Sequence, residues 1–311
     1  MTDEKAPVAS NVQASEEALE EMGYKQELKR ALTIPDMLVY GLIFMVPIAP
    51  FGIYGGVFQD SGGMPALVCL IGMIAMIFTA ISYSTLSQEF PVSGSVYGYG
   101  SRGVGRGWGF MGGWAMMLDY LLVPTLLYVV ASVAMHGLVP QIPTIVWGLL
   151  FVFINTFVNI RGIELTAMLN RIALVGELLV LGIFLVMGIW WLATDPMSNG
   201  FPLKPFYNAE TFSLPLVMGA VSLGCLSFMG FDAISTLSEE AKDAKKGPGR
   251  AMICSLMLVG VLFMAQTYIA GCLCPDGSVF ADDPDNGFYL VASIAGGKFL
   301  YGLCALATAI A

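Results

Sequence analysis

The sequence predicts an all-α, polytopic membrane fold, and three observations carry that prediction. Of 311 residues, 57% are hydrophobic and only 12% are charged, about half the charged share of a soluble domain. Apolar runs of roughly twenty residues, the length that crosses a bilayer, recur along the chain. Lys and Arg collect in alternate connections between those runs, as they do in membrane proteins whose cytoplasmic loops are basic. The runs lie near 33–58, 64–86, 108–135, 144–160, 169–193, 212–237 and 250–273. An eighth begins near Lys298 and is still apolar at Ala311, so the chain reads as ending inside a helix too short to span.

The segment before the first run, residues 1–32, is polar and acidic with no apolar stretch of signal-peptide type. It reads as a disordered cytoplasmic tail, with room for an interfacial helix on Leu19, Met22 and Leu28. The first run is irregular: Pro47, Pro50, Gly52, Gly55 and Gly56 fall within it. Each proline removes a backbone donor and crowds the preceding turn, so a continuous helix is not expected here. Inside a bilayer such a break is tolerated where it is buried in protein or lines a cavity.

Between the second and third runs, residues 88–110 are rich in glycine and carry Tyr97, Tyr99, Arg102 and Arg106. No strand precedes these glycines and no Gly-Lys-Ser/Thr follows, so they do not form a phosphate-binding loop. A re-entrant cytoplasmic loop leading into the third helix fits better. The third run holds Asp119, an acid deep in apolar sequence, and ends near His136, the single histidine. The fifth holds Glu177, which reads equally as a titrating group whose pKa burial raises or as an acid with an ordinary polar partner.

The sixth run carries Gly230-Phe231-Asp232 in its second half. An acid near the bilayer centre costs about 2.5–3.5 kcal/mol on insertion scales and marks a functional site by default. The adjacent glycine favours an interrupted helix with free backbone groups. Asp232 reads as an amine-binding or proton-carrying acid; capping the outgoing half-helix is the other reading, and the two are compatible. Five runs separate the start of the first from the start of the sixth, so the two broken runs have opposite orientation, as in inverted-repeat secondary transporters. Glu239 and Glu240, with Lys242, Lys245 and Lys246, form a charged cytoplasmic surface with the option of latching the inner gate. The six cysteines follow no metal-ligand spacing and read as apolar fillers.

The net charge of −9 conceals a strong asymmetry. Only Lys204 and Lys298 fall on the side that carries Asp60, Asp195, Glu210, Asp276, Asp282, Asp283 and Asp285. The other twelve basic residues lie before Ile34, in 102–106, in 161–171 and in 242–250. The N-terminus is therefore expected in the cytoplasm of a plasma-membrane protein.

Several segments resemble the amino acid–polyamine–organocation (APC) superfamily: SFMGFDAISTLSEEAKDAKKGPGRAM at 227–252, FTAISYSTLSQEFPVSGSVYGYG at 78–100 and GFMGGWAMMLDYLLVP at 109–124. The pattern is nearest to its putrescine-importer-like and amino acid permeases. The resemblance implies a LeuT-like/APC fold of twelve helices in a 5+5 inverted repeat. On that frame residues 33–193 are the first five-helix repeat, and 212–311 open the inverted second, ending within the eighth helix. It implies that Ile48, Ala49, Pro50, Phe51 and Gly52 form the unwound part of the first helix. Ser227, Phe228, Gly230, Phe231 and Asp232 would form that of the sixth, with Phe228 or Phe231 as an aromatic gate. Asp119 falls where the family's third helix faces the substrate. Asp232, Glu177 and Glu239 are the coupling and gating candidates. One departure matters: amino-acid-carrying members have Gly-x-Gly in helix one, whereas this chain has Pro47 and Pro50, which lack two of the amides that bind a carboxylate. Family members with a covalent glycoprotein partner use a cysteine in the loop corresponding to 137–143, and none is present here.

Together these features predict a proton-coupled secondary transporter importing a polyamine such as putrescine, or an amino acid. An amino acid permease for neutral or other amino acids is the alternative, and a nutrient sensor that does not transport is a rival of another class. No cofactor, metal, nucleic acid or catalytic residue is expected, since no nucleophile–base pair or cofactor motif appears.

Overall fold

The computed structural model describes residues 30–90, 93–196, 198, 200–244 and 246–311. The expected tail and interfacial helix of residues 1–29, and Lys245, lie outside the described residues. The prolines and glycines of the first run interrupt it as expected. Helix α1, Ile34–Met45, is followed by a 3-10 turn, Ala49–Gly52, and a short helix α2, Tyr54–Asp60. Then come α3 (Pro65–Glu89), α4 (Ser95–Gly103), α5 (Arg106–Leu138), α6 (Thr144–Ile160) and α7 (Ile163–Thr194). The sixth run divides into α8 (Leu214–Leu226) and a 3-10 segment, Phe231–Glu240. Helices α9 (Gly247–Leu273) and α10 (Gly287–Ile310) follow. Among the described residues seven stretches are long and apolar enough to cross a membrane, with α6 a shorter apolar helix of 17 residues. The protein is therefore a multi-pass membrane protein.

The eighth run departs from expectation. It does not begin at Lys298 but upstream, and Pro284–Ile310 is one of the seven candidate spans. Gly297, at φ +60° and ψ −156°, kinks α10, which is why Gly296-Gly297-Lys298 looks like a helix start in sequence.

The chain forms two compact units, and both broken runs pass from one to the other at their breaks. One unit holds the described residues up to Met45, Ile74–Leu122 and Phe228–Leu258. The other holds Val46–Met73, Val123–Ser227 and Val259–Ala311.

In the first unit α1 packs on the 3-10 segment Phe231–Glu240. A single parallel bridge pairs Leu32 with Ala241. Through it the Ala31 and Leu32 amides donate to the Glu240 carbonyl, and the Lys242 amide donates to that of Leu32, all at 2.9 Å. The glycine-rich connection is helical rather than a loop: α4 lies against the first turns of α5. A Cβ on Gly100 would come within 3.1 Å of the Gly109 Cα, so small residues let the two backbones approach.

In the second unit an aromatic core surrounds the first break. Phe51 stacks on Phe288 with centroids 3.8 Å apart, and Phe184 and Tyr54 meet Phe288 at 4.7 and 5.6 Å. Helix α10 packs chiefly on α7. In α6 no side chain is buried, and Ile145, Leu149 and Phe153 are exposed, as a lipid-facing helix requires. Beyond α9, Asp276 accepts from both the amide and the hydroxyl of Ser278, which holds its carboxyl below the usual aspartate range.

Candidate functional site

In the second unit the first break begins at Val46, whose φ of +46° is abnormal for a β-branched residue. The break then spends three of its own donors. The amides of Ala49, Phe51 and Ile53 donate to the carbonyls of Val46, Ile48 and Pro50 at 2.8, 2.9 and 3.2 Å, and Pro47 and Pro50 have none to give. The Pro47 carbonyl, released from helix, is held by the Gln266 side-chain amide at 3.0 Å. Gln266 is fully buried, and its Oε1 finds no partner among the described residues. Sequence reading passed over Gln266; a lone carboxamide inside apolar α9 was the available signal.

Of the five residues placed in this break, Ile48, Pro50 and Phe51 are buried, with the Phe51 ring committed to the aromatic core. Ile48, Ala49 and Gly52 line a cavity of about 450 Å³ together with Tyr128, Asn155 and Asn170. Its polar groups are uncharged amides and hydroxyls, none of them singled out by sequence. Glu177 belongs to this unit. It is 6% exposed, and its Oε2 has no partner among the described residues. It lies two helical turns beyond Asn170 on α7, a spacing of seven that returns to the same helix face. Ser227, which ends α8 with its amide on the Gly224 carbonyl, is the last residue of this unit before the second break.

In the first unit, Gly230 opens the second break at φ +104°. From there the chain is 3-10 for ten residues, far longer than the few usual for that helix and longer than the sequence implied. Phe228 and Phe231 are both buried, and Phe231 meets the Tyr83 ring edge-on at 5.8 Å. Asp232 is half-buried at the head of the segment, its carboxylate facing the amides of Gly230, Ala233 and its own residue. Asp119 on α5 acts on Asp232 electrostatically, and Asp232 in turn acts on the Tyr83 and Tyr120 phenols. Neither carboxylate has a basic partner among the described residues. Two acids thus share one neighbourhood, with aromatic walls and no compensating cation, an arrangement that favours a cationic ligand or a shared proton.

Glu239 is tied into structure rather than left on a solvated face. Its Oε1 accepts the Ser93 amide at 2.9 Å, and with Arg102, Arg106, Ser93 and Ser101 it lines a cavity of about 550 Å³. His136 lies 2.8 Å from the Ile142 carbonyl through Nδ1 and closes the turn after α5. Cys272 and Cys274 are buried free thiols, the packing role expected of them. Among the described residues no group of three His, Cys, Asp or Glu side chains is placed to hold a metal.

Comparison with known proteins accords with this architecture. The family model described as amino acid permease matches residues 37–306. The chain is 31% identical over 283 residues to the low-affinity putrescine importer PlaP of Escherichia coli K12, covering 91% of this chain and 62% of that protein. It is 25% identical over 292 residues to a methylthioribose transporter of Bacillus subtilis, covering 86% and 60%. With the branched-chain amino acid permease BcaP of Lactococcus lactis it shares 26% identity over 261 residues, 77% and 55%. The chain spans about three fifths of the length of these relatives.

Proposed function

This chain belongs to the amino acid permease family, and on that footing we propose that it is part of a secondary active transporter importing a small amine-bearing solute, with protons as the coupling ion. The observation that carries the amine is the pair Asp232 and Asp119, two acids of one unit without a basic partner. An ammonium between them supplies the missing charge, and aromatic walls exclude the water that would otherwise compete. The first break supports the same class of solute. Three of its amides are spent locally and two positions are proline, which leaves fewer to cradle a carboxylate.

The charge asymmetry of the loops supports an N-terminus in the cytoplasm. Asp232 exchanges an ammonium or a proton, and Glu177, buried with an unsatisfied oxygen, is the second coupling candidate. The bundle of the first, second, sixth and seventh spans rocks against the remainder, with the breaks as its joints. Phe228 and Phe231, now buried, swing to open the path. One observation favours a second reading. The cavity beside the first break is lined by Asn155, Asn170 and Tyr128 without any charged residue. That lining suits a neutral amino acid, the cargo named for one relative.

Uptake by the reconstituted protein decides between them. Proton-driven entry of labelled putrescine, outcompeted by amines and not by leucine, is the expected result. Asp232→Asn should weaken it roughly tenfold to a hundredfold, the value of a hydrogen bond to a charged group. Unchanged uptake and pH dependence in Asp232→Asn would overturn the reading. Binding without uptake would favour a sensor instead.

A further inference from the structure

Beside Asp232 the first unit buries a group of hydroxyls that no part of the proposed substrate site uses. Ser95 is 2% exposed, Tyr99 4% and Ser235 fully buried, and none of these three hydroxyl oxygens makes a well-formed hydrogen bond among the described residues. They are near one another. The Tyr99 and Ser235 hydroxyls lie side by side, and that of Ser95 lies beside Tyr83, which in turn faces Asp232. The Tyr83 and Tyr99 rings meet edge-on at 6.0 Å. Ser95 is also held at φ +41°, a region costly for a residue with a Cβ. A strained serine with a buried, unsatisfied hydroxyl gains nothing from packing alone.

An orphaned buried hydroxyl costs about 1–3 kcal/mol, and three together call for bound water, which bridges such groups where the site is polar. The chemistry of the cluster narrows its use. Each hydroxyl both donates and accepts, and among Ser95, Tyr99 and Ser235 there is no charge to store an ion. The titratable groups facing Asp232 are Asp119 and Tyr120 from α5 and Tyr83 from α3, with Tyr99 of α4 one ring beyond. On the far side Phe90 packs on Tyr99 at 6.5 Å and lies under the Arg102 guanidinium at 5.9 Å. Arg102 lines the cavity that also holds Ser93, Ser101 and Glu239.

We propose that Tyr83, Ser95, Tyr99 and Ser235, with the waters they hold, form a proton path from Asp232 to that cytoplasmic cavity. The path rests on the reading of Asp232 as the proton carrier. In the step, the protonated Asp232 gives its proton to the nearest hydroxyl or water oxygen. Each member in turn accepts one proton and releases one. A water in the cavity leaves with the last, so Asp232 ends as a carboxylate and every hydroxyl is restored. These are positioning residues for the transferred proton and leave solute affinity alone.

The test uses Tyr99→Phe and Ser235→Ala in the reconstituted protein. Labelled putrescine binding, proton-driven uptake and the ratio of uptake rates in H₂O and D₂O are compared with wild type. Expected are unchanged binding, uptake slowed about a hundredfold as for loss of a positioned proton-transfer group, and a larger isotope ratio. Ser235→Thr, which keeps the hydroxyl, should restore both. Wild-type rates and isotope ratio in both variants would overturn the path, and so would loss of binding alongside uptake, which marks a merely structural role. Normal relay variants beside an inactive Asp232→Asn refute the path alone; a fully active Asp232→Asn refutes the underlying reading of that acid.

Discussion

Gly230 shows how much one residue fixes at the second break. It stands at φ +104°, and a Cβ there would lie 2.6 Å from the Phe44 carbonyl oxygen and 2.9 Å from its carbon. Backbone atoms do not give way as a flexible side-chain end does, so the site excludes every residue but glycine twice over, by torsion and by space. Gly230→Ala is therefore expected to destabilise the protein by about 1–3 kcal/mol, the usual cost of a forced torsion, with the clash added. The measurement is the thermal midpoint in detergent micelles, with Gly176→Ala as the control. Gly176 sits inside α7 with nothing within 4 Å of a Cβ. Alanine there should be neutral or stabilising, since it favours the helix by about 1 kcal/mol. Equal midpoints for the two variants would show that the break does not depend on Gly230.

At the level of elements, the breaks were legible because covalent chemistry forces them: Pro47 and Pro50 cannot complete a helix, and Gly230 next to an acid marks the second. What the breaks lead into was not legible. The ten-residue 3-10 run after Gly230 depends on its packing against α1, where a Cβ on Gly41 would lie 2.6 Å from Ile234. That is a pairing of positions nearly two hundred residues apart. Asp232 and Asp119 stood out as charges in apolar sequence, whereas Tyr99 and Ser235 look ordinary until the fold buries them together. The strap across residues 31–32 and 240–242 belongs to the same class, since nothing in Ala31 or Leu32 announces a partner. It has a direct test. Leu32→Pro removes one of the two amides donating to Glu240 and unsettles the bond from Lys242. Each bond is worth about 1 kcal/mol, so the Lys242 amide should exchange with deuterium roughly fivefold faster. Amides in the middle of α7 should not change. Unaltered exchange at Lys242 would mean the strap contributes nothing to holding that segment.

Over the whole molecule the distribution of charge says more than its sum. The ends of α4, α5 and α9 that carry Arg102, Arg106 and Arg250 share one compact unit with the Leu32–Ala241 bridge. The acidic connection that holds Asp276, Asp282, Asp283 and Asp285 belongs wholly to the other unit. Basic connections stay on the cytoplasmic side because moving Lys or Arg across the membrane during insertion is opposed, while acids contribute little to the choice. Twelve basic residues against two predict a cytoplasmic N-terminus, a bias that no single substitution reverses. A cysteine-free form carrying either Asp282→Cys or Lys242→Cys turns this into a measurement with a membrane-impermeant maleimide. Both native positions are outside the spanning helices, so labelling there reports on side rather than burial. The cysteine at 282 should label in intact cells, and the one at 242 only after permeabilisation. The reverse pattern would invert the protein in the membrane. It would also turn the proposed proton path outward, with the Arg102 cavity as its entrance instead of its exit.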